Sequence, residues 1–99
     1  MEVKVQAIHF DASEKLVDFI NRKAQRVARR FPNIIEIDFN LRVVKPETAL
    51  NKEVIVRTVT PHEEDMVATK VADSFEEAVD LGLEAVERQL EKKKEQVRK

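Results

Sequence analysis

A chain of 99 residues with a 42% apolar fraction is enough for one domain, spanning residues 1–99, around one core. It has no Cys, which excludes a disulfide framework and any thiolate metal site or nucleophile. The formal net charge of −1 argues against a partner such as nucleic acid, but the charge is unevenly spread.

The opening MEVKVQAIHF alternates Val3, Val5 and Ala7 with Glu2, Lys4 and Gln6, the pattern of a strand over residues 1–10. It holds no apolar run of signal-peptide length, and no later segment approaches a membrane span, which points to the cytoplasm. Asp11, with Glu14 three residues on, forms a capping-box pattern that opens a helix. That helix runs to about Arg30, because Pro32 disfavours helical backbone before it. Ile35, Ile37, Phe39, Leu41 and Val43 then alternate with Glu36, Asp38, Asn40 and Arg42, so the second strand has one apolar and one wet face.

KPETALNK reads as a loop, and the β-branched EVIVRTVT as the third strand. PHEED is an acidic turn, and MVATKVA a shorter fourth strand. Ser74 with Glu77 repeats the capping box and opens a second helix that continues almost to Lys99. The order is β-α-β-β-β-α, an α+β fold of two layers with a four-stranded mixed sheet and both helices on one face. A crossover makes the first two strands parallel. Short connections make the later neighbours antiparallel. The helices then run parallel to each other, with their C-terminal ends at one edge.

At 100° per residue the first helix gathers Leu16, Ile20, Ala24, Val27 and Phe31 on one stripe, with Val17 and Ala28 at its border. Lys15, Arg22, Lys23, Arg26, Arg29 and Arg30 fall in a separate arc around Phe19. Residues 21–30 hold five of the chain's eighteen cations and no acid, which leaves thirteen cations against nineteen acids elsewhere. The second helix has a core stripe of Phe75, Val79, Leu83, Val86 and Leu90, widened by Ala78, Gly82 and Ala85. Beside it run an acidic stripe (Glu76, Asp80, Glu84, Glu87, Glu91, Glu95) and a basic one (Arg88, Lys92, Lys99), with Lys93, Lys94 and Arg98 around the same end.

Cations near a helix C-terminus favour the macrodipole and need no ligand. Against that plain account, Arg22–Arg26 and Arg26–Arg30 are like-charge i,i+4 pairs, each costing about 0.2–0.5 kcal/mol. A helix face that keeps this local cost is suited to an anion. Arg's planar fork matches phosphate oxygens in particular.

Catalytic motifs are missing. The single Gly lies mid-helix, so there is no glycine loop for phosphate. His9 ends a strand and His62 sits in the acidic turn, neither at metal-ligand spacing, so no cofactor is expected. The aromatics are five Phe, mostly on core faces, which gives no stacking platform for single-stranded bases. Phe19 is placed either to stack on a base or to pack between the helices, and packing is the preferred reading.

The chain resembles the ribosome hibernation-promoting factor family, also called ribosome-associated inhibitors or sigma-54 modulation proteins. Leu16, Phe19, Ile20 and Lys23 fit the family's first-helix pattern. Ala78, Val79, Asp80, Val86, Gln89, Leu90, Lys92 and Lys94 fit its second helix. The resemblance implies a fold like a double-stranded RNA-binding domain. It also implies a non-enzymatic inhibitor in the decoding channel of the small ribosomal subunit, over the messenger and transfer RNA sites, during starvation or stationary phase. The rRNA-binding residues it implies are Lys23, Arg26, Arg30, Arg88, Lys92 and Lys93, with Arg22 and Arg29 added by their place in the arc. Replacing Arg26 and Arg30 with Glu is then expected to abolish binding and leave the fold intact.

The end of the chain at the second helix matches the family's short form, which would need a separate partner for ribosomes to pair. The rival reading is a protein-interaction module, or a homodimer in which the basic arc meets the acidic stripe of the second helix.

Overall fold

A computed structural model describes residues 1–45 and 49–97, with side chains described as far as Lys93. The elements follow the order β1 (Glu2–Ala7), α1 (Glu14–Arg30), β2 (Glu36–Val43), β3 (Lys52–Val59), β4 (Met66–Ala72) and α2 (Phe75–Val97). The sheet order is β1-β2-β3-β4. β1 and β2 pair in parallel, Val3 opposite Ile37 and Val5 opposite Phe39. The β2–β3 and β3–β4 pairs are antiparallel. The expected α+β, two-layer β-α-β-β-β-α architecture is therefore the observed one.

The strands differ from expectation at their ends. β1 stops at Ala7, and His9 takes a left-handed conformation with φ 65° that turns the chain toward α1. In β2 the apolar alternation is buried at Ile37, Phe39 and Leu41, but Val43 at its end and Ile35 just before it are exposed. Of the expected loop, residues 46–48 lie outside the described part, and β3 begins one residue early, at Lys52. β4 covers the expected MVATKVA, with Ala68 and Ala72 turned into the core.

The first helix is not capped as its pattern predicts. Ser13, not Asp11, is the N-cap, and its Oγ accepts the Leu16 backbone N–H at 3.1 Å. Phe31 closes the other end by donating its backbone N–H to the Val27 carbonyl. At α2 the expected cap holds: Ser74 Oγ accepts the Glu77 N–H at 3.1 Å.

One core joins the layers. α1 contributes Leu16, Ile20, Ala24 and Val27, and α2 contributes Ala78, Val79, Leu83, Val86 and Leu90. Ile37, Phe39, Leu41, Val54 and Val56 meet them from the sheet. Each Val, Leu, Ile or Phe among them stabilises the fold by about 1.5–3 kcal/mol on full burial. α2 lies over β3 and β4 and packs beside α1. It approaches the sheet tightly at Gly82, where a Cβ would stand 2.7 Å from Val56 Cγ2. That glycine serves contact with the sheet. Phe19 is partly buried against the core, as its position suggests.

The far face of the sheet is wet, and its charges are closed among themselves. Lys4 Nζ meets Glu36 at 3.2 Å, and Arg42 Nε meets Glu53 at 2.6 Å. Arg57 reaches Glu36, Asp38 and Asp65 together. The hydrogen bond to Glu36, then its charge, raises the Lys4 pKa above the ordinary lysine value. Asp38 does the same for Arg57. Among the described residues no helix is long and apolar enough to cross a membrane.

Candidate nucleic-acid interface

The helical layer has cations left over, and its geometry comes from how the two helices meet. Lys23 Nζ pairs with Asp80 Oδ1 at 3.2 Å. Seven residues on, Arg30 Nη1 donates to Glu87 Oε2 at 2.6 Å, and its Nη2 pairs with Glu91. Lys23 lies 57 residues before Asp80, and Arg30 lies 57 before Glu87. Contacts that advance in step along both chains require parallel helices, as expected. Seven residues is two helical turns, so both pairs recur on the same faces.

This seam keeps the basic arc of α1 and the basic stripe of α2 from merging into one surface. The acidic stripe of α2 does not face away from the cations of α1. It turns toward them and occupies Lys23 and Arg30. Both cations also lie over aromatic rings of their own helix, Lys23 Nζ at 5.3 Å from the Phe19 centroid and the Arg30 guanidinium at 5.3 Å from Phe31. A cation over a ring face is further stabilised there. A homodimer that used Lys23 or Arg30 of the basic arc would have to break these contacts first.

The rest of the α1 arc stays open. Lys15, Arg22, Arg26 and Arg29 are exposed and fall within about 60° of one another at helical spacing. Among the described residues Arg26 and Arg29 have no ion-pair partner. Arg22 donates only to the Asp18 carbonyl of its own helix, at 3.5 Å. Arg22, Arg26 and Arg29, with Asn21 and Gln25, line a shallow groove of about 450 Å³. Arg26 also borders a cleft of about 350 Å³ over the seam, lined by Lys23, Val27, Arg30, Asp80, Leu83, Glu84 and Glu87.

On α2 the predicted cations separate. Arg88 is exposed and bound to Glu84 one turn earlier, at 2.6 Å. Lys92 is exposed at helical spacing from Arg88, while Lys93 is half-buried and falls on another side of the helix. The side chains of Lys94 and Glu95, and all of Arg98 and Lys99, lie outside the described residues. The helical face thus carries two basic strips, one on α1 and one led by Arg88 and Lys92, with an ion-paired seam between them.

The seam also changes one expected substitution. A Glu at position 30 would stand beside Glu87 and Glu91, so Arg30→Glu disturbs the helix pair as well as any ligand. Sequence reasoning missed the seam because a helical wheel fixes angles within a helix and leaves the rotation between helices open. The signal was present in the shared seven-residue spacing of Lys23–Arg30 and Asp80–Glu87. Among the described residues no cluster of His, Asp or Glu is arranged to hold a metal ion.

A four-stranded mixed sheet covered on one side by two parallel, cation-bearing helices defines the class: a small two-layer α+β module whose helical side meets the solvent. The chain belongs to the Sigma 54 modulation protein / S30EA ribosomal protein family, which it matches over residues 3–98. Its fold is similar to that of a ribosomal subunit interface protein from Coxiella burnetii, with a TM-score of 0.83 at 24% identity, covering 95% of this chain and 98% of that one. It is also similar to the N-terminal domain of Thermus thermophilus Protein Y, with a TM-score of 0.75 at 14% identity over 93% and 98% of the two chains. No curated protein matches the chain in sequence.

Proposed function

We propose that this protein is a cytoplasmic ribosome hibernation factor. It binds the small ribosomal subunit in the decoding channel, over the messenger and transfer RNA sites, and inhibits translation in starvation or stationary phase. The observation that carries this reading is the open strip of Arg22, Arg26 and Arg29, kept on one helix despite mutual repulsion and free of ion pairs among the described residues. Membership of a family named for a ribosomal protein supplies the polyanion to which such a strip answers. With no aromatic platform on the helical face, recognition runs through phosphates and RNA shape.

Arg22, Arg26 and Arg29 make the first contacts, and Arg88 and Lys92 contribute from α2, while Lys93, half-buried on another side of that helix, drops out of the expected set. Lys23 and Arg30 join once their carboxylate partners give way. Co-sedimentation with purified small subunits tests the reading. About five phosphate contacts imply an affinity loss of about 10²–10³-fold between ~50 and ~200 mM salt. Absent or salt-independent sedimentation would overturn it.

A further inference from the structure

The ion-paired seam is a feature that phosphate binding alone does not require. A face evolved only to hold RNA would gain from leaving Lys23 and Arg30 free. Instead Asp80, Glu87 and Glu91 occupy them, in a row that lies between the two basic strips. The pairs are not buried anchors. Arg30 is 54% exposed and Asp80 50%, against 31% for Lys23 and 24% for Glu87, so water and salt reach one side of each pair and phosphate can displace the carboxylates.

We propose that Asp80, Glu87 and Glu91 are selectivity determinants of the RNA face, standing in for phosphate until a correctly shaped RNA replaces them. The inference rests on the RNA-binding reading above. A loose single strand can lie along Arg22, Arg26 and Arg29 alone and gains nothing from the seam. An RNA surface rigid enough to meet both strips at once brings phosphates over the seam, and there they take Lys23 and Arg30 from the carboxylates. Any RNA that crosses the seam without placing phosphates on those two cations meets three acids and is repelled. The carboxylates therefore cost little against the intended surface and much against the general pool of cellular RNA.

The test compares the wild-type protein with the isosteric triple variant Asp80→Asn/Glu87→Gln/Glu91→Gln, using oligouridylate and purified small subunits as the two ligands. Expected for the variant is oligouridylate affinity at least ~10-fold higher at ~100 mM salt, against less than ~3-fold for small subunits. Two released cations also steepen its log–log salt dependence on the single strand by about 1.4.

A control of equal charge change away from the seam, Glu2→Gln/Glu63→Gln/Glu64→Gln, is expected to leave oligouridylate affinity within ~3-fold. Circular dichroism and thermal unfolding check the folds. If the triple variant unfolds, Glu91→Gln alone, which frees one bond of Arg30, is expected to give a 2–3-fold gain. Unchanged oligouridylate affinity and slope, with small-subunit binding retained, would overturn the inference and leave the acids as helix clips. An equal gain in the control would overturn it in favour of bulk charge. Failure of the wild-type protein to bind small subunits would overturn the functional reading and this inference together.

Discussion

Asp11 and Ser13 compete for the start of α1, and the structure gives the cap to Ser13. Ser13→Ala is expected to cost about 1 kcal/mol, whereas Asp11→Ala stays within about 0.5 kcal/mol, as urea denaturation would show. The Asp-x-x-Glu pattern misled because it ignores where the chain can turn. His9 already bends it with a positive φ, and the first helical residue follows from that bend. Gly82 offers a second check. Ala gains up to about 1 kcal/mol over Gly in a helix, but its Cβ would press on buried Val56, and overpacking costs about 1–3 kcal/mol. Gly82→Ala is therefore neutral to destabilising by about 2 kcal/mol. In a double-mutant cycle Val56→Ala should relieve it, with a coupling of about 1 kcal/mol. Lys4 gives a pH signature. Its folded pKa is raised, so its pairing with the Glu36 carboxylate favours the folded state below the unfolded lysine value and is lost as pH climbs through the folded one. The stability difference between wild type and Lys4→Met should accordingly vanish in strong alkali, in a denaturant series across pH.

At the scale of elements, periodicity was a sound guide wherever one side of an element is buried. The alternation of β2 and the core stripes of both helices predicted which residues face inward, because water sorts side chains strand by strand and helix by helix. Rims and rotations were not legible. Ile35 and Val43 fit the alternation but are exposed. The acidic stripe of α2 could be drawn on a wheel, yet nothing in one helix says which neighbour it meets. Of the eight predicted site residues, the structure leaves Arg22, Arg26, Arg29 and Lys92 outside the seam, pairs Lys23 and Arg30 across it, holds Arg88 within α2 and half-buries Lys93. That division yields a contrast between two charge reversals. Arg26→Glu removes two like-charge i,i+4 contacts and should leave stability unchanged or slightly higher. Arg30→Glu loses two partners and faces two acids, which should lower stability by about 1 kcal/mol. Parallel urea melts would separate them, and only Arg26→Glu then reports cleanly on RNA binding.

Across the whole molecule the two faces of the sheet divide the electrostatic work. The outer face pairs Lys4, Arg42 and Arg57 with its own acids and has little to offer a polyanion. Positive charge predominates along α1, where residues 14–30 hold six cations against two acids, while the chain as a whole stays at −1. Replacing Arg22, Arg26 and Arg29 together with Gln should remove most small-subunit binding and flatten its salt dependence by about 2–3 log units per log unit. Sedimentation across a salt series would measure this, with thermal unfolding unchanged.

The lopsided charge also governs how fast a partner is caught. A near-neutral body exerts little pull at long range, and its cationic side is felt only within a Debye length, about 8 Å at physiological ionic strength. Collisions must arrive nearly face-on before attraction begins. Association with a polyanion should thus run near the unsteered range of about 10⁵–10⁶ M⁻¹s⁻¹, well below what a uniformly basic protein achieves. Added salt would then act mainly by shortening the lifetime of the complex, a distinction that stopped-flow mixing resolves directly.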